Sequence, residues 1–204
     1  MPFDLTPFVR SVEEKNLSLM GIIVRQHGEL IAEHRWKPDE RTNLRSVAKS
    51  VMSLAVGMAV EEGLLSLNET IAEAFAEVLP KNGYDEKLSR MTLWHLLTLT
   101  TGHAKGLLPP NRRDSIDNWL GHILTQPVEL EPGTRFVYNN AGPYLAGTLL
   151  KMRTGQQLTD WLRPRLFEPL GIKNPQWFVC PQGRQICMGG LFLNNDELSR
   201  IAQL

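Results

Sequence analysis

The chain has 204 residues, 42% hydrophobic and 22% charged, an ordinary balance for a soluble globular protein. Its 22 Lys and Arg cancel its 22 Asp and Glu, so it offers neither the basic face that nucleic acid selects nor the polybasic run that draws a chain to an anionic membrane. No basic-then-apolar leader opens it, no run of about 20 apolar residues could span a bilayer, and two cysteines cannot build a disulfide scaffold. Those features predict a cytoplasmic protein with reduced thiols at Cys180 and Cys187, no metal and no cofactor.

Residues 5–15 predict a short helix. Leu17–Val24 and Leu30–Trp36 read as two strands, with His27-Gly28 as a two-residue turn that tolerates positive φ. The first strand is apolar on both faces, which predicts cover on both. From Ser46 to Glu62 apolar residues cover most of a helix circumference, the pattern of a central buried helix, and Gly63 ends it. Thr92–Leu97 starts another helix, stopped at Thr101-Gly102. Residues 104–115 read as a loop with a solvated Arg112-Arg113 pair, Asp117–Leu124 as a short helix and Glu131-Pro132-Gly133 as a turn. Gly142–Arg153 is a helix with Pro143 in its first turn and Gly155 after its end. Thr159–Phe167 is helical despite Pro164. Asn194 with Glu197 three residues on predicts the cap of a last helix, which reaches Leu204 in mid-pattern.

Ser46-Val47-Ala48-Lys49 opens the buried helix. A spacing of three puts hydroxyl and amine on one face. A serine hydroxyl is a poor nucleophile until a base takes its proton, and a lysine kept neutral by burial is such a base. The helix start favours negative charge on the attacking oxygen. The same pair is also what an ordinary helix with a surface lysine gives. Tyr138-Asn139-Asn140 likewise reads two ways. A tyrosine hydroxyl beside a lysine can pass on a proton, and an asparagine amide can hold a carbonyl. Equally, either asparagine can cap the helix that follows, and Tyr138 can be a half-buried core residue. His95 reads as a core histidine with one hydrogen bond. His27, His34, His103 and His122 show no metal spacing, and the five tryptophans read as packing.

Taken together, the segments resemble the β-lactamase-related serine hydrolases, which include class C β-lactamases, D-alanyl-D-alanine carboxypeptidases and related esterases. Arg45–Ser50 resembles the first motif of that family, and Gly63–Glu69 the segment after its central helix. His95–Gly102 resembles its His-Leu-Leu-Thr-His-Thr-Ser-Gly stretch, with Leu99 in place of the second histidine. Pro132–Gly142 resembles its second motif, and Phe167–Ile172 and Gly189–Leu193 complete the series. The resemblance implies Ser46 as acylated nucleophile, Lys49 as its activating partner, Tyr138 as proton shuttle and Asn140 as a substrate-positioning group. It also makes the Ser46 N–H half of an oxyanion hole.

The fold so implied is of the α/β (α+β) type, a helical domain beside an antiparallel sheet covered by helices. The chain reads as the N-terminal part of one such domain: residues 1–45 the hairpin of the sheet, 46–190 mainly helical, and 191–204 returning toward sheet strands that the chain lacks. A third family motif, on a later strand that supplies the other oxyanion donor, has no counterpart in residues 1–204. Loss of one such donor costs roughly 100- to 1000-fold in rate. The expected partner is a small-molecule ester, amide or β-lactam substrate, and an unpaired sheet edge would be a route to oligomers. The alternative is a weak or inactive truncated relative that binds a peptide, an acyl ligand or a protein.

Overall fold

The computed structural model describes residues 3–81, 83–109 and 113–204. In chain order the elements are α1 (Thr6–Glu14), β1 (Gly21–Gln26), β2 (Glu29–Arg35), β3 (Thr42–Asn43), α2 (Ala48–Glu61), α3 (Ile71–Ala74), α4 (Leu93–Leu97), α5 (Trp119–Leu124), α6 (Ala141–Thr154), α7 (Leu158–Leu162), β4 (Gln176–Trp177), β5 (Leu191–Leu193) and α8 (Asn195–Ile201). Short 3-10 turns and one π turn join them. The chain divides into two compact units: Met1–Asn43 with Arg163–Gln176 and Phe192–Leu204, and Leu44–Leu162 with Trp177–Leu191.

In the first unit, β1 and β2 form an antiparallel hairpin with a register shift at Val24/Arg25. Its turn needs two left-handed residues, and His27 (φ +51°) and Gly28 (φ +83°) supply them. The cover that an apolar β1 calls for on both faces is only partly supplied by the described residues. Gly21–Arg25 are only half-buried, because α8 meets β1 through a polar seam. There Arg25 donates to Asp196 Oδ1 and Ser199 Oγ, both at 2.8 Å, and the Gly28 N–H donates to Gln203 Oε1 at 2.7 Å. α8 starts with the predicted cap: Glu197 N donates to Asn194 Oδ1 at 2.8 Å, and Asn194 N to Glu197 Oε2 at 3.1 Å. The Glu197 side chain is buried, and Arg41 meets it with two bonds of 2.5 and 2.9 Å. β3 pairs antiparallel with β5 through Thr42–Leu193 and Asn43–Phe192. The helix expected over 159–167 is α7 followed by a π turn, Arg163–Phe167. Pro164 has no N–H to give to an α-helical ladder, and Glu168 N instead reaches the Arg163 carbonyl at 2.8 Å.

The second unit is built around α6. α6 is buried from Ala141 to Leu150, starts with Pro143 in its first turn and ends at Gly155, φ +70°. Both α2 and α4 pack on it. A Cβ at Gly142 would overlap the Leu96 carbonyl oxygen, so α6 and α4 approach this closely only with glycine there. α2 departs from its expectation in two ways. Ser46 lies in a 3-10 turn, Arg45–Val47, and the α-helix begins at Ala48. Only one face is buried, Ala48, Val51, Met52, Ala55, Val56 and Ala59; Ser53, Gly57 and Glu61 stand exposed. α4 ends at Leu97, before the predicted stop, because Leu99 turns left-handed at φ +56°. The Arg112-Arg113 pair and the middle of the 104–115 loop lie outside the described side chains. No helix among the described residues is long and apolar enough to cross a membrane.

Candidate active site

The second unit brings Ser46, Lys49, Tyr138 and Asn140 into mutual contact. Ser46 stands exposed in its 3-10 turn, and Lys49 follows one turn later, half-buried in the first turn of α2. Tyr138 and Asn140 lie on the segment that enters α6. Ser46 Oγ is 2.5 Å from Tyr138 Oη and 3.2 Å from Lys49 Nζ. Lys49 Nζ also donates to Asn140 Oδ1 at 3.2 Å and to the Met188 carbonyl at 2.7 Å, and it lies 4.9 Å from the centre of the Tyr138 ring. At least three acceptors surround Nζ, more than the two N–H bonds of a neutral amine can serve. Burial alone would push the Tyr138 phenol up. Hydrogen bonds from Lys49 and Ser46, with the lysine's charge, outweigh that and hold it below its ordinary value of 10.0.

The backbone around these groups is unusual. Arg45, Leu108 and Cys187 have φ of +51°, +53° and +55° without being glycine. Each adjoins a site atom. Arg45 precedes Ser46, Cys187 precedes the carbonyl that holds Lys49, and the Leu108 carbonyl accepts from Asn140 Nδ2 at 3.3 Å. Residues in sparsely populated conformations persist only where surrounding packing enforces them, and they concentrate at functional sites. Ser46 is also the second residue of its turn, so its N–H is among those that a helix start leaves without an intrahelical partner.

Of the other polar residues singled out in the sequence, His95 is half-buried, with Nδ1 accepting from Thr92 N at 3.0 Å, and it caps α4. Cys180 and Cys187 are free and buried, and burial pushes the Cys187 thiol well above the usual range, which leaves it inert as a nucleophile. Among the described residues no three His, Cys, Asp or Glu side chains gather as a metal site requires. Two parts of the site carried no signal in the sequence, the Met188 and Leu108 carbonyls, because every residue has a carbonyl. Asn139 proves to be the helix-capping asparagine of the pair, with Oδ1 accepting from Ala141 N at 2.9 Å, while Asn140 faces Lys49.

Helices and antiparallel strands in this arrangement are the fold class of the β-lactamases and DD-peptidase-like proteins. The chain belongs to the Beta-lactamase family, whose family model matches residues 8–196. It is similar to a lovastatin esterase of Penicillium rubens, 28% identical over 69% of this chain and 40% of that protein. It is also similar to the esterase EstB of Burkholderia gladioli, 26% identical over 85% of this chain and 52% of that protein. Among solved structures, a β-lactamase/D-alanine carboxypeptidase of Pseudomonas syringae has the same fold, with a TM-score of 0.76 at 18% identity, covering 97% of this chain and 63% of that one. The chain thus spans about half the length of the curated relatives it matches.

Proposed function

We propose that this chain carries the acylating machinery of a serine hydrolase that opens an ester, amide or β-lactam carbonyl through an acyl-enzyme on Ser46. The observation that supports it most is the 2.5 Å contact of Ser46 Oγ with a tyrosine whose phenol Lys49 and Ser46 together hold below its ordinary value. Tyr138 is the base in this reading, and Lys49, held among its acceptors, is the fixed positive charge that keeps it so. Ser46 Oγ attacks the carbonyl carbon as its proton passes to Tyr138 Oη. The carbonyl oxygen takes the negative charge beside the Ser46 N–H. On collapse, the leaving group departs with the proton from Tyr138, and the acyl group stays on Oγ. A water then repeats the sequence and frees Ser46. A positioned general base contributes about 100- to 10,000-fold to such a step. Asn140, fixed between Lys49 and the Leu108 carbonyl, is the substrate-positioning group in this reading. The esterases among the relatives support an ester as the first substrate to try.

The test is the intact mass of the chain after exposure to an activated phosphonate and to a penicillin, with Ser46→Ala alongside. A mass gain that the substitution abolishes is expected. No gain from either probe, in a folded chain, would sink the reading. Turnover of a nitrophenyl ester against a chromogenic β-lactam then separates the substrate classes.

A further inference from the structure

Beneath the Tyr138–Asn140 segment, three buried polar side chains meet: Thr101, His103 and Asn139, each no more than 2% exposed. Asn139 Nδ2 donates to Thr101 Oγ1 at 3.3 Å and lies 3.5 Å from His103 Nδ1, which is itself 2.9 Å from Thr101 Oγ1. On its other side, Asn139 Oδ1 accepts from Leu107 N and from Ala141 N, both at 2.9 Å. The amide therefore ties the start of α6 to the 106–108 strand of loop. That loop lies tight against the site segment, since a Cβ at Gly106 would stand 2.6 Å from the Tyr138 carbonyl oxygen. Its next residue but one, Leu108, supplies the carbonyl that holds Asn140.

Packing alone does not account for this cluster. His103 Nε2 is buried with no hydrogen-bond partner among the described residues, a cost that an apolar side chain would avoid. The residues it connects are those on either side of Asn139, and both touch Lys49 or Ser46. Resting on the acyl-enzyme reading above, we infer that Thr101, His103 and Asn139 form a positioning network, which fixes Tyr138 and Asn140 against Ser46 and Lys49 by locking the 106–108 loop to the head of α6. The network is built for a neutral imidazole. A proton on both ring nitrogens would set Nδ1–H against the Asn139 amide N–H, and burial lowers the affinity of His103 for that proton, although Glu129 and Asp85 nearby favour it. Lys105 faces Glu129, and Lys87 and Arg90 face Asp85.

Two readouts test the network separately from the reading on which it rests. One is the rate of phosphonate addition at Ser46. The other is the ultraviolet titration of Tyr138, isolated from Tyr84 and Tyr144 by subtracting the Tyr138→Phe spectrum. Asn139→Ala is expected to slow addition about 100-fold, the scale of a small misplacement of reacting groups. It also moves the Tyr138 midpoint up toward 10.0, since Lys49 and Ser46 no longer hold the phenol. Thr101→Val, which removes the hydroxyl that meets both Asn139 and His103 and nearly keeps the shape, slows addition about tenfold, and Thr101→Ser restores it. His103→Leu serves if Asn139→Ala fails to fold. If folded Asn139→Ala and Thr101→Val label as fast as the parent with the Tyr138 midpoint unmoved, the network is overturned and the acyl-enzyme reading stands. If the parent does not label at all, that reading falls, and the titration alone decides the network: a raised midpoint sustains it and an unmoved one ends it.

Discussion

Tyr138→Phe removes one oxygen and separates chemistry from stability more cleanly than any other change at the site. The ring is about half exposed, and its hydroxyl bonds at the rim of the fold, to Ser46 Oγ and Lys49. Loss of a screened hydrogen bond of this kind costs about 1 kcal/mol or less in folding stability. If Tyr138 is the base, the same oxygen carries about 2.7–5.4 kcal/mol of the acylation barrier, or 100- to 10,000-fold in rate. A time course of phosphonate addition read by intact mass measures the second quantity, and thermal unfolding measures the first. The pH profile adds a sign. With Tyr138 as the base, the phenolate is the active form, and the parent's rate should then rise with pH through the lowered phenol value, below 10.0, and level off above it. The variant should lack that rise. Should the phenylalanine variant label at nearly the parent rate, with the pH rise intact, Tyr138 is not the base and Lys49 must be reconsidered.

Three further outcomes are expected. Arg41→Ala leaves the buried Glu197 carboxylate without its ion pair, and as Arg41 is itself a third exposed, chemical denaturation should register a loss near the low end of the usual range, about 3 kcal/mol. Gly142→Ala forces a methyl group onto the Leu96 carbonyl, which is backbone and cannot swing aside; calorimetry should find about 3 kcal/mol less stability, while an alanine at the exposed Gly57 should be neutral or better. His103 takes a proton less readily in the native state than its ordinary 6.5, so the unfolded chain binds more protons just below that value. Stability should therefore be full above about pH 6.5 and decline as pH falls toward the lowered native value. His103→Leu should flatten that decline, and an unchanged slope would mean that other groups cause it.

Turn and cap chemistry made much of this fold readable from residues alone. His27-Gly28, Pro143 with Gly155, and Asn194 with Glu197 each satisfy a local demand that few residue types meet, and each stands where it was expected. Tertiary context decided the rest. β1 reads as doubly buried because it is apolar, yet its neighbour α8 presents Asp196 and Ser199 to it. The spacing of Ser46 and Lys49 was legible, but not the 3-10 turn that carries Ser46, since a left-handed arginine leaves no mark in a hydrophobic pattern. Asn139 and His103 were individually visible and collectively silent, because 36 residues separate the partners of that network.

The first unit is assembled from three stretches of chain that are far apart in order. Arg25 meets Asp196 across 171 residues. On a ribosome adding about 5–20 residues per second, the hairpin therefore waits roughly 10–30 s before α8 exists to meet it. Throughout that interval its half-finished apolar strand edge is available to any other nascent chain. In the middle of the polypeptide, Leu44–Leu162, a shorter stretch of chain separates α2 from α6, so α2, α4 and α6 come together after a shorter wait. Synthesis thus favours an order in which the segments bearing Ser46 and Tyr138 collapse first and the hairpin docks last. The yield of soluble protein should respond more to the rate of translation, and to chaperones that shield strands, than the final stability would indicate.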